Sequence, residues 1–236
     1  MRSALGFLTI VGGAAPPDRR APAWFGPVGA ALGLAVGGAW WVAGELWPAL
    51  VAALLAVVVD AALTGMLHFD GLADSADGLL PPLDRRRRLE VMAAPDIGAF
   101  GVMVVALVVL ARVVALAALA PDPLLVAGLW TGSRAAMALA LAWLPYARTA
   151  GGAASGFRAG PATPALGALA VGCAAVVWAF DGGWGPGVLV AACSLAGFGA
   201  VVTLARRRLG GYTGDVLGAA GLVAETVGLL AAAARW

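Results

Sequence analysis

Seven apolar runs, each close to the length needed to cross a lipid bilayer, constrain this chain more than any other feature. They cover about residues 27–44, 48–67, 98–120, 123–145, 163–180, 186–205 and 215–234. A spanning helix needs about 20 mostly apolar residues. The composition agrees, because 62% of the 236 residues are hydrophobic and only 12% are charged. The sequence therefore predicts an all-α, polytopic integral membrane bundle of about seven transmembrane helices, built as a single membrane domain over residues 1–236.

The arginines between these runs predict the orientation of the bundle. Most of them fall in alternate polar segments, at Arg2, Arg19, Arg20, Arg85 to Arg88, Arg148, Arg158 and Arg206 to Arg208. The intervening segments carry Glu45, Asp122 and Asp181 but no arginine. Because arginine-rich segments stay on the cytoplasmic side, we expect a cytoplasmic amino terminus. The same side should hold an amphipathic lead-in (1–26), an acidic and basic segment (68–97) and a glycine-rich loop (206–215).

An acidic stretch follows the second apolar run and carries Asp70, Asp74 and Asp77. In a helix these spacings place all three carboxylates on one side, within roughly 60° of each other. Magnesium prefers oxygen ligands and completes its shell with water and substrate phosphates. The cluster therefore predicts a site for Mg2+ and a phosphate-bearing substrate, and the simpler alternative is a solvated helix face bridged to Arg85–Arg88. His68 joins this cluster only if the chain turns near Gly65 or Gly71.

The last polar loop, Gly210-Gly211-Tyr212-Thr213-Gly214-Asp215, leads into the seventh run. Its free backbone N–H groups and the positive end of the following helix can receive an anion. Asp215 is either the N-cap of that helix or a further ligand.

Several charged residues keep two interpretations each. Arg85–Arg88 can anchor the membrane surface or bind phosphate, and Glu90 in the following turn is ambiguous. Inside the spans, acids are costly and are usually paired or functional. Asp60 and Glu225 are either structural ion pairs with Arg112 and Arg134 or members of a functional pathway.

Most of the chain resembles the adenosylcobinamide-GDP ribazoletransferases, the cobalamin synthases of the corrinoid pathway. The signature that carries the resemblance is Thr64-Gly65-Met66-Leu67-His68-Phe69-Asp70-Gly71-Leu72-Ala73-Asp74-Ser75-Ala76-Asp77-Gly78. Further matches are Phe7-Leu8-Thr9, Phe25-Gly26-Pro27-Val28-Gly29, Arg88-Leu89-Glu90-Val91-Met92, Ile97-Gly98-Ala99-Phe100-Gly101, Tyr146-Ala147-Arg148 and the stretch from Gly210 to Ala220.

The resemblance implies a magnesium-dependent inner-membrane enzyme that joins adenosylcobinamide-GDP to alpha-ribazole, or to its 5′-phosphate, and releases GMP. It implies Asp70, Asp74, Asp77 and Asp215 as metal ligands, and His68 and Asp77 as catalytic residues. We expect substrate contacts at Arg85, Arg88, Glu90, Gly211, Thr213 and Gly214. The partners are these substrates and the lipid bilayer, with no nucleic acid; a homo-oligomer or a complex with other corrinoid-pathway enzymes is compatible with this family.

Two other functions compete with this one. A CDP-alcohol phosphotransferase also places aspartates on helices at the cytoplasmic membrane face, but its signature requires an arginine where this chain has Asp74. A cation transporter could use Asp60, His68, Asp70 and Glu225 as its pathway. That function requires acids spread through the depth of the membrane, whereas most acids here gather at one surface.

Overall fold

The computed structural model describes residues 1–11, 13, 18–148, 157, 162–180 and 184–235. Arg158 and Asp181, used above for orientation, and residues 12 and 14–17 of the lead-in lie outside this part. Within it the chain forms ten α-helices, one short 3-10 helix (Ala21–Trp24) and a single isolated β-bridge. The α-helices are α1 (Arg2–Leu8), α2 (Phe25–Leu46), α3 (Ala49–Leu63), α4 (Leu67–Leu79), α5 (Arg85–Val91), α6 (Ala99–Ala117), α7 (Pro123–Trp143), α8 (Thr163–Trp178), α9 (Trp184–Leu209) and α10 (Gly214–Ala232). The predicted all-α polytopic class is confirmed.

The seven apolar runs all form helices, but not all of them are long enough to span a bilayer alone. Among the described residues, five candidate spans pass on length and hydropathy: Ala21–Leu46, α6, α7, α9 and α10. Helix α8 has 16 residues. Helix α3 has 15 residues and passes only together with α4, from which it is bent by 89°. The described part of the chain therefore has five candidate spans, or six if α3 and α4 count as one broken span, where the sequence predicted seven.

The bend between α3 and α4 has a local cause. Gly65 and Met66 both adopt positive φ angles, of 59° and 60°, and this left-handed conformation cannot continue a right-handed helix. Glycine adopts it without strain. The hydroxyl of Thr64 donates to the carbonyl of Asp60 at 2.8 Å and covers the end of α3. The chain thus turns at Gly65, as one of the two predicted alternatives required, and α4 runs across the end of the bundle.

Helix α7 forms the centre of the bundle, and small residues let its neighbours approach closely. A methyl group added at Gly33 of α2 would lie 2.6 Å from Cα of Ala127. One added at Gly172 of α8 would lie 2.8 Å from the backbone N of Gly132. Such contacts are typical of membrane helices, where packing replaces the hydrophobic effect as the main attraction between helices. Helix α10 packs beside α7 and also contacts α4, α6 and α9, so its amino-terminal end meets the acidic helix.

Candidate active site

Helix α4 meets the first turn of α10 through a glycine contact. A Cβ at Gly71 would lie 2.8 Å from the carbonyl oxygen of Asp215 and 3.0 Å from its Cα. Real side chains do not approach so closely, so only glycine permits this distance between the two helices. One turn further along α10, Gly218 faces the backbone of His68. This packing brings the carboxylates of α4 to the start of α10 and defines an acidic rim, formed by Asp70, Asp74, Asp77 and Asp215.

The three aspartates of α4 lie in a helix, as predicted, but have different environments. Asp70 is exposed, Asp74 is partly buried and Asp77 is buried. The Asp77 carboxylate accepts hydrogen bonds from the backbone N–H groups of Gly98 at 2.7 Å and Gly101 at 2.9 Å. It therefore satisfies orphan donors at the amino-terminal end of α6. Asp77 has a structural task that sequence spacing did not reveal, and fewer of its lone pairs remain for a metal.

Asp74 lies at the electrostatic centre of the rim. Partial burial, followed by the negative charges of Asp215 and Asp70, raises its pKa from 3.8 to about 7. Arg148 acts in the opposite direction, and Asp77 adds a smaller rise. Helix α4 is not one of the five candidate spans by itself, and it is bent by 89° from α3. Burial and the neighbouring carboxylates therefore favour the protonated form of Asp74 more than Arg148 disfavours it.

Of the four rim aspartates, Asp215 is the one within ion-pair distance of an arginine in the described part of the chain. Its Oδ2 lies 3.1 Å from Nη2 of Arg148 and accepts a hydrogen bond from the hydroxyl of Thr213 at 3.2 Å. Thr213 also accepts a hydrogen bond from the backbone N–H of Val216 at 3.2 Å. Thr213, and not Asp215, is thus the N-cap of α10, which leaves the carboxylate free to face the rim.

The rim has the donor chemistry that magnesium prefers, because all its ligating atoms are carboxylate oxygens. In the described ranges, however, no three His, Cys, Asp or Glu side chains are close enough together to hold a metal ion. Asp77 is occupied by Gly98 and Gly101, and Asp215 is paired with Arg148. A divalent cation therefore fits the donors but would have to draw the carboxylates of Asp70, Asp74 and Asp215 together.

His68 lies on the inner side of α4 and is only 3% exposed. It lines a cavity of about 50 Å3 together with Phe7, Leu67, Met137, Gly214, Asp215 and Gly218. Its Nδ1 atom is buried and has no hydrogen-bond partner in the described part of the chain. His68 therefore shares a cavity with Asp215 of α10. It approaches the rim at this residue, and not on the face of α4 that carries the aspartates. A larger cavity of about 600 Å3 contains none of the rim residues.

Arg88 differs from its predicted role. Its Nη1 donates to the carbonyls of Gly78 at 2.7 Å and Leu79 at 2.9 Å, and the side chain is buried. Arg208 donates to the carbonyls of Leu79 and Leu80. Both arginines thus cover the negative carboxyl-terminal end of α4. The structure gives Arg88 this capping role, and its phosphate contact stays a prediction.

Arg85 and Glu90 also have protein partners. Arg85 donates from Nε to the carbonyl of Leu209 at 2.7 Å and from Nη2 to that of Ala147 at 3.1 Å. Glu90 pairs on the surface with Arg86 at 3.3 Å and Arg87 at 3.2 Å. Neither contact includes the rim, so in this arrangement Arg85 ties three segments together and Glu90 stabilises its own helix.

The glycine-rich loop is built for close packing. A Cβ at Gly211 would overlap the carbonyl of Pro145. The Tyr212 N–H donates to that carbonyl at 3.0 Å, and the Ala147 N–H donates to the Tyr212 carbonyl at 2.8 Å. Gly214 begins α10 and lines the His68 cavity. Gly211 thus fixes the segment after α7 against the loop, while Thr213 and Gly214 position the start of α10 beside the rim.

A second charged cluster lies inside the bundle, where α3, α6, α7 and α10 meet. Arg112 contacts Asp60 at 2.8 Å and Glu225 at 3.3 Å. Arg134 forms an ion pair with the same Glu225. All four side chains are at most 1% exposed. We call this set the interior network, and its two acids and two bases balance.

Neutral donors complete the interior network. The indole N–H of Trp130 donates to Oδ1 of Asp60 at 2.9 Å, and the hydroxyl of Ser133 donates to Oε1 of Glu225 at 2.7 Å. The Arg112 guanidinium also lies 4.8 Å from the ring centroid of Trp130. Of the two interpretations left open by the sequence, the contacts support ion pairing between helices.

Arg148 is the rim residue for which the sequence suggested no chemical role. Its placement depends on the contact between the segment after α7 and the glycine-rich loop, which no local pattern encodes. The sequence signal that could have identified Arg148 was its position in Tyr146-Ala147-Arg148, one of the stretches that resemble the cobalamin synthases.

Comparison with known proteins finds matches over nearly the whole chain. A model of the cobalamin-5-phosphate synthase family matches residues 1–233. The adenosylcobinamide-GDP ribazoletransferase of Azorhizobium caulinodans is 38% identical over 226 residues, which cover 92% of this chain and 85% of that protein. The protein of the same name from Chlorobium phaeobacteroides is 34% identical over 209 residues, covering 86% of this chain and 84% of the relative. No solved structure matches the chain.

Proposed function

This chain belongs to the cobalamin-5-phosphate synthase family, and we propose that it joins adenosylcobinamide-GDP to alpha-ribazole at a magnesium-dependent rim on the cytoplasmic side of the membrane. A ribose hydroxyl oxygen bonds to the cobinamide-linked phosphorus, the bond from that phosphorus to the bridging oxygen breaks, and GMP leaves with that oxygen. The hydroxyl proton passes to a base on the protein. The 5′-phosphate of alpha-ribazole is the alternative acceptor.

The observation that supports the site best is the Gly71 contact, because it joins acids from two distant parts of the chain. The proposed ligands are Asp70 and Asp74 of α4 and Asp215 of α10. Asp77 supports the site structurally, because its carboxylate binds the start of α6. Bound magnesium would neutralise the diphosphate and the charge that develops on the leaving group. Without it, the same carboxylates would repel a diphosphate substrate.

His68 is the proposed acceptor of the hydroxyl proton. Its Nδ1 has no described partner, and the cavity it shares with Asp215 connects it to the rim. Thr213 and Gly214 hold the start of α10, where the helix dipole and free N–H groups favour an anion. The protein's own task is thus to orient the hydroxyl and the diphosphate and to exclude water.

The arginine distribution supports the proposed cytoplasmic location. Arg88 and Arg208 contact the carboxyl-terminal end of α4, the helix that carries three of the rim aspartates. We propose that this end of the bundle faces the cytoplasm at the inner membrane. GDP-linked substrates are cytoplasmic solutes, so the orientation agrees with the reaction.

The test uses purified protein in lipid or detergent, supplied with magnesium, adenosylcobinamide-GDP and alpha-ribazole. We expect release of GMP in equal amount to the joined product, and loss of release on chelation. Comparing alpha-ribazole with its 5′-phosphate in a single-turnover assay identifies the preferred acceptor. A folded protein that releases no GMP with either acceptor would contradict the proposal.

The two competing functions lose support. The comparisons favour neither a CDP-alcohol phosphotransferase nor a transporter. A transport pathway would also need Asp60 and Glu225 to be available, whereas both are paired with arginine. Ion flux through liposomes without GMP release would restore the transporter.

A further inference from the structure

Arg148 has no role in the reaction as described so far, yet it lies in the acidic rim. Its Nη2 donates to Oδ2 of Asp215 at 3.1 Å and to the main-chain carbonyl of Met92 at 3.1 Å. Over the described residues it is the one arginine within ion-pair distance of a rim aspartate. Arg148 therefore contacts one of the four rim carboxylates.

Among the described residues, the partners of the Arg148 guanidinium all lie at one of its nitrogen atoms. Both of its hydrogen bonds to described residues use Nη2. The Nε atom is buried and has no partner within the described ranges, and the side chain retains 21% exposure. Guanidinium groups present a planar set of donors that bind two oxygens of a phosphate together. Arg148 thus retains the capacity for such a contact.

The backbone around Arg148 fixes its position relative to Asp215. Tyr146 and Tyr212 form the isolated β-bridge, and their rings contact edge to face with centroids 5.4 Å apart. Arg148 lies two residues after one side of this bridge and Asp215 three residues after the other. The ion pair therefore joins two segments that are already tied together, unlike a flexible surface pair.

We propose that Arg148 binds the diphosphate of adenosylcobinamide-GDP. In the substrate-free protein Arg148 is paired with Asp215, and binding of a divalent cation by the Asp215 carboxylate would release the guanidinium for the diphosphate. The inference depends on the proposed function, because the reaction supplies both the diphosphate and the cation. A cation bound by Asp215 would compete with Arg148 for this carboxylate. The guanidinium would then lose its partner and could pair with phosphate oxygens instead.

Two measurements on Arg148→Gln test this competition. In the substrate-free protein, removing the competing guanidinium should raise Mn2+ affinity about three- to tenfold, as expected for losing a partly exposed ion pair. Mn2+ binding is read from its paramagnetic resonance spectrum. In the assay, kcat/KM for adenosylcobinamide-GDP should fall at least roughly tenfold, because a charged phosphate contact is lost. Tighter metal binding with weaker catalysis is a combination that loss of structure would not produce.

Two further variants sharpen the test. Arg148→Lys keeps the charge but loses the planar fork, so Mn2+ affinity should stay near wild type while KM for adenosylcobinamide-GDP rises. Arg19→Gln is the matched control, since Arg19 is an exposed arginine of the lead-in and is not among the residues assigned to the site. It should change neither measurement.

Unchanged or weaker Mn2+ binding by Arg148→Gln, at an unchanged melting temperature, would overturn the competition with the cation. An unchanged kcat/KM would overturn the diphosphate contact. Failure of the wild-type protein to release GMP would instead count against the proposed function, and the Mn2+ titrations would still decide whether Arg148 competes for Asp215.

Discussion

The molecule contains two charged regions whose balance differs. The interior network pairs Asp60 and Glu225 with two buried arginines, and each acid also accepts a neutral hydrogen bond. In the acidic rim, four carboxylates have one arginine among the described residues, Arg148, within ion-pair distance. Buried charge without a partner is too costly to persist, so the balanced region serves the fold. The imbalance of the rim persists because this region is partly exposed, and this is where we propose that a cation and a substrate bind.

The largest expected effect breaks the interior network. Glu225→Gln leaves the Arg134 and Arg112 guanidinium groups short of a buried counter-charge, which should lower the free energy of unfolding by about 3–5 kcal/mol. A thermal melt in detergent measures this change. Leu230→Gln, a partly exposed position on the same helix, is the control and should cost much less. Equal melting temperatures for Glu225→Gln and wild type would show that the network does not support the fold.

The rim should respond in the opposite way. Asp74→Asn removes a proposed ligand and should lower the rate of GMP release by roughly 100-fold or more. Its melting temperature should not fall, because the change relieves repulsion from Asp215 and Asp70. A variant that melts earlier and keeps its activity would reverse the assignment of the two regions.

The glycine contact between α4 and α10 provides an intermediate test. Gly71→Ala places a methyl group 2.8 Å from the Asp215 carbonyl, and accommodating it should cost about 1–3 kcal/mol. The helices would move apart, so activity should fall more than stability suggests. Gly38→Ala in α2, where a methyl group meets nothing within 4 Å, is the control. Full activity of Gly71→Ala would show that this approach does not define the site.

The smallest effect is the pH dependence of the metal-free protein. The folded-state pKa of Asp74 is raised from 3.8 to about 7, so the folded protein binds this proton more tightly than the unfolded chain does. Stability should therefore be highest below about pH 4 for this group and decline as pH rises through 7. Melting temperatures with chelator at pH 5 and pH 8 measure the decline, which Asp74→Asn should abolish. A wild-type slope that persists in that variant would assign the titration to another group.

The sequence predicted the parts of this molecule that depend on local pattern. Apolar run lengths identified the helices, and the spacing of Asp70 and Asp74 placed them on one helix face. The α3–α4 bend shortened the predicted second span because two consecutive residues, Gly65 and Met66, adopt positive φ. Nothing in a hydropathy profile encodes such a turn.

What the sequence missed was set by contacts between distant segments. Asp77 was predicted as a ligand, but it receives the N–H groups of Gly98 and Gly101. Arg88 was predicted as a phosphate contact, but it covers the end of α4. Arg148 received no role because its partner Asp215 lies 67 positions away. Residue type indicated which groups carry charge, and only the packing of helices showed which charges are already satisfied.

The central claim is that carboxylates from α4 and α10 share one divalent cation. Mn2+ titration of the purified protein, followed by paramagnetic resonance, tests it without any substrate. The account predicts one saturable site in wild type that is lost in Asp74→Asn and equally in Asp215→Asn, and kept in Asp18→Asn, a surface aspartate of the lead-in. Mn2+ binding that survives both rim substitutions in folded protein, or that is absent from wild type, would contradict it.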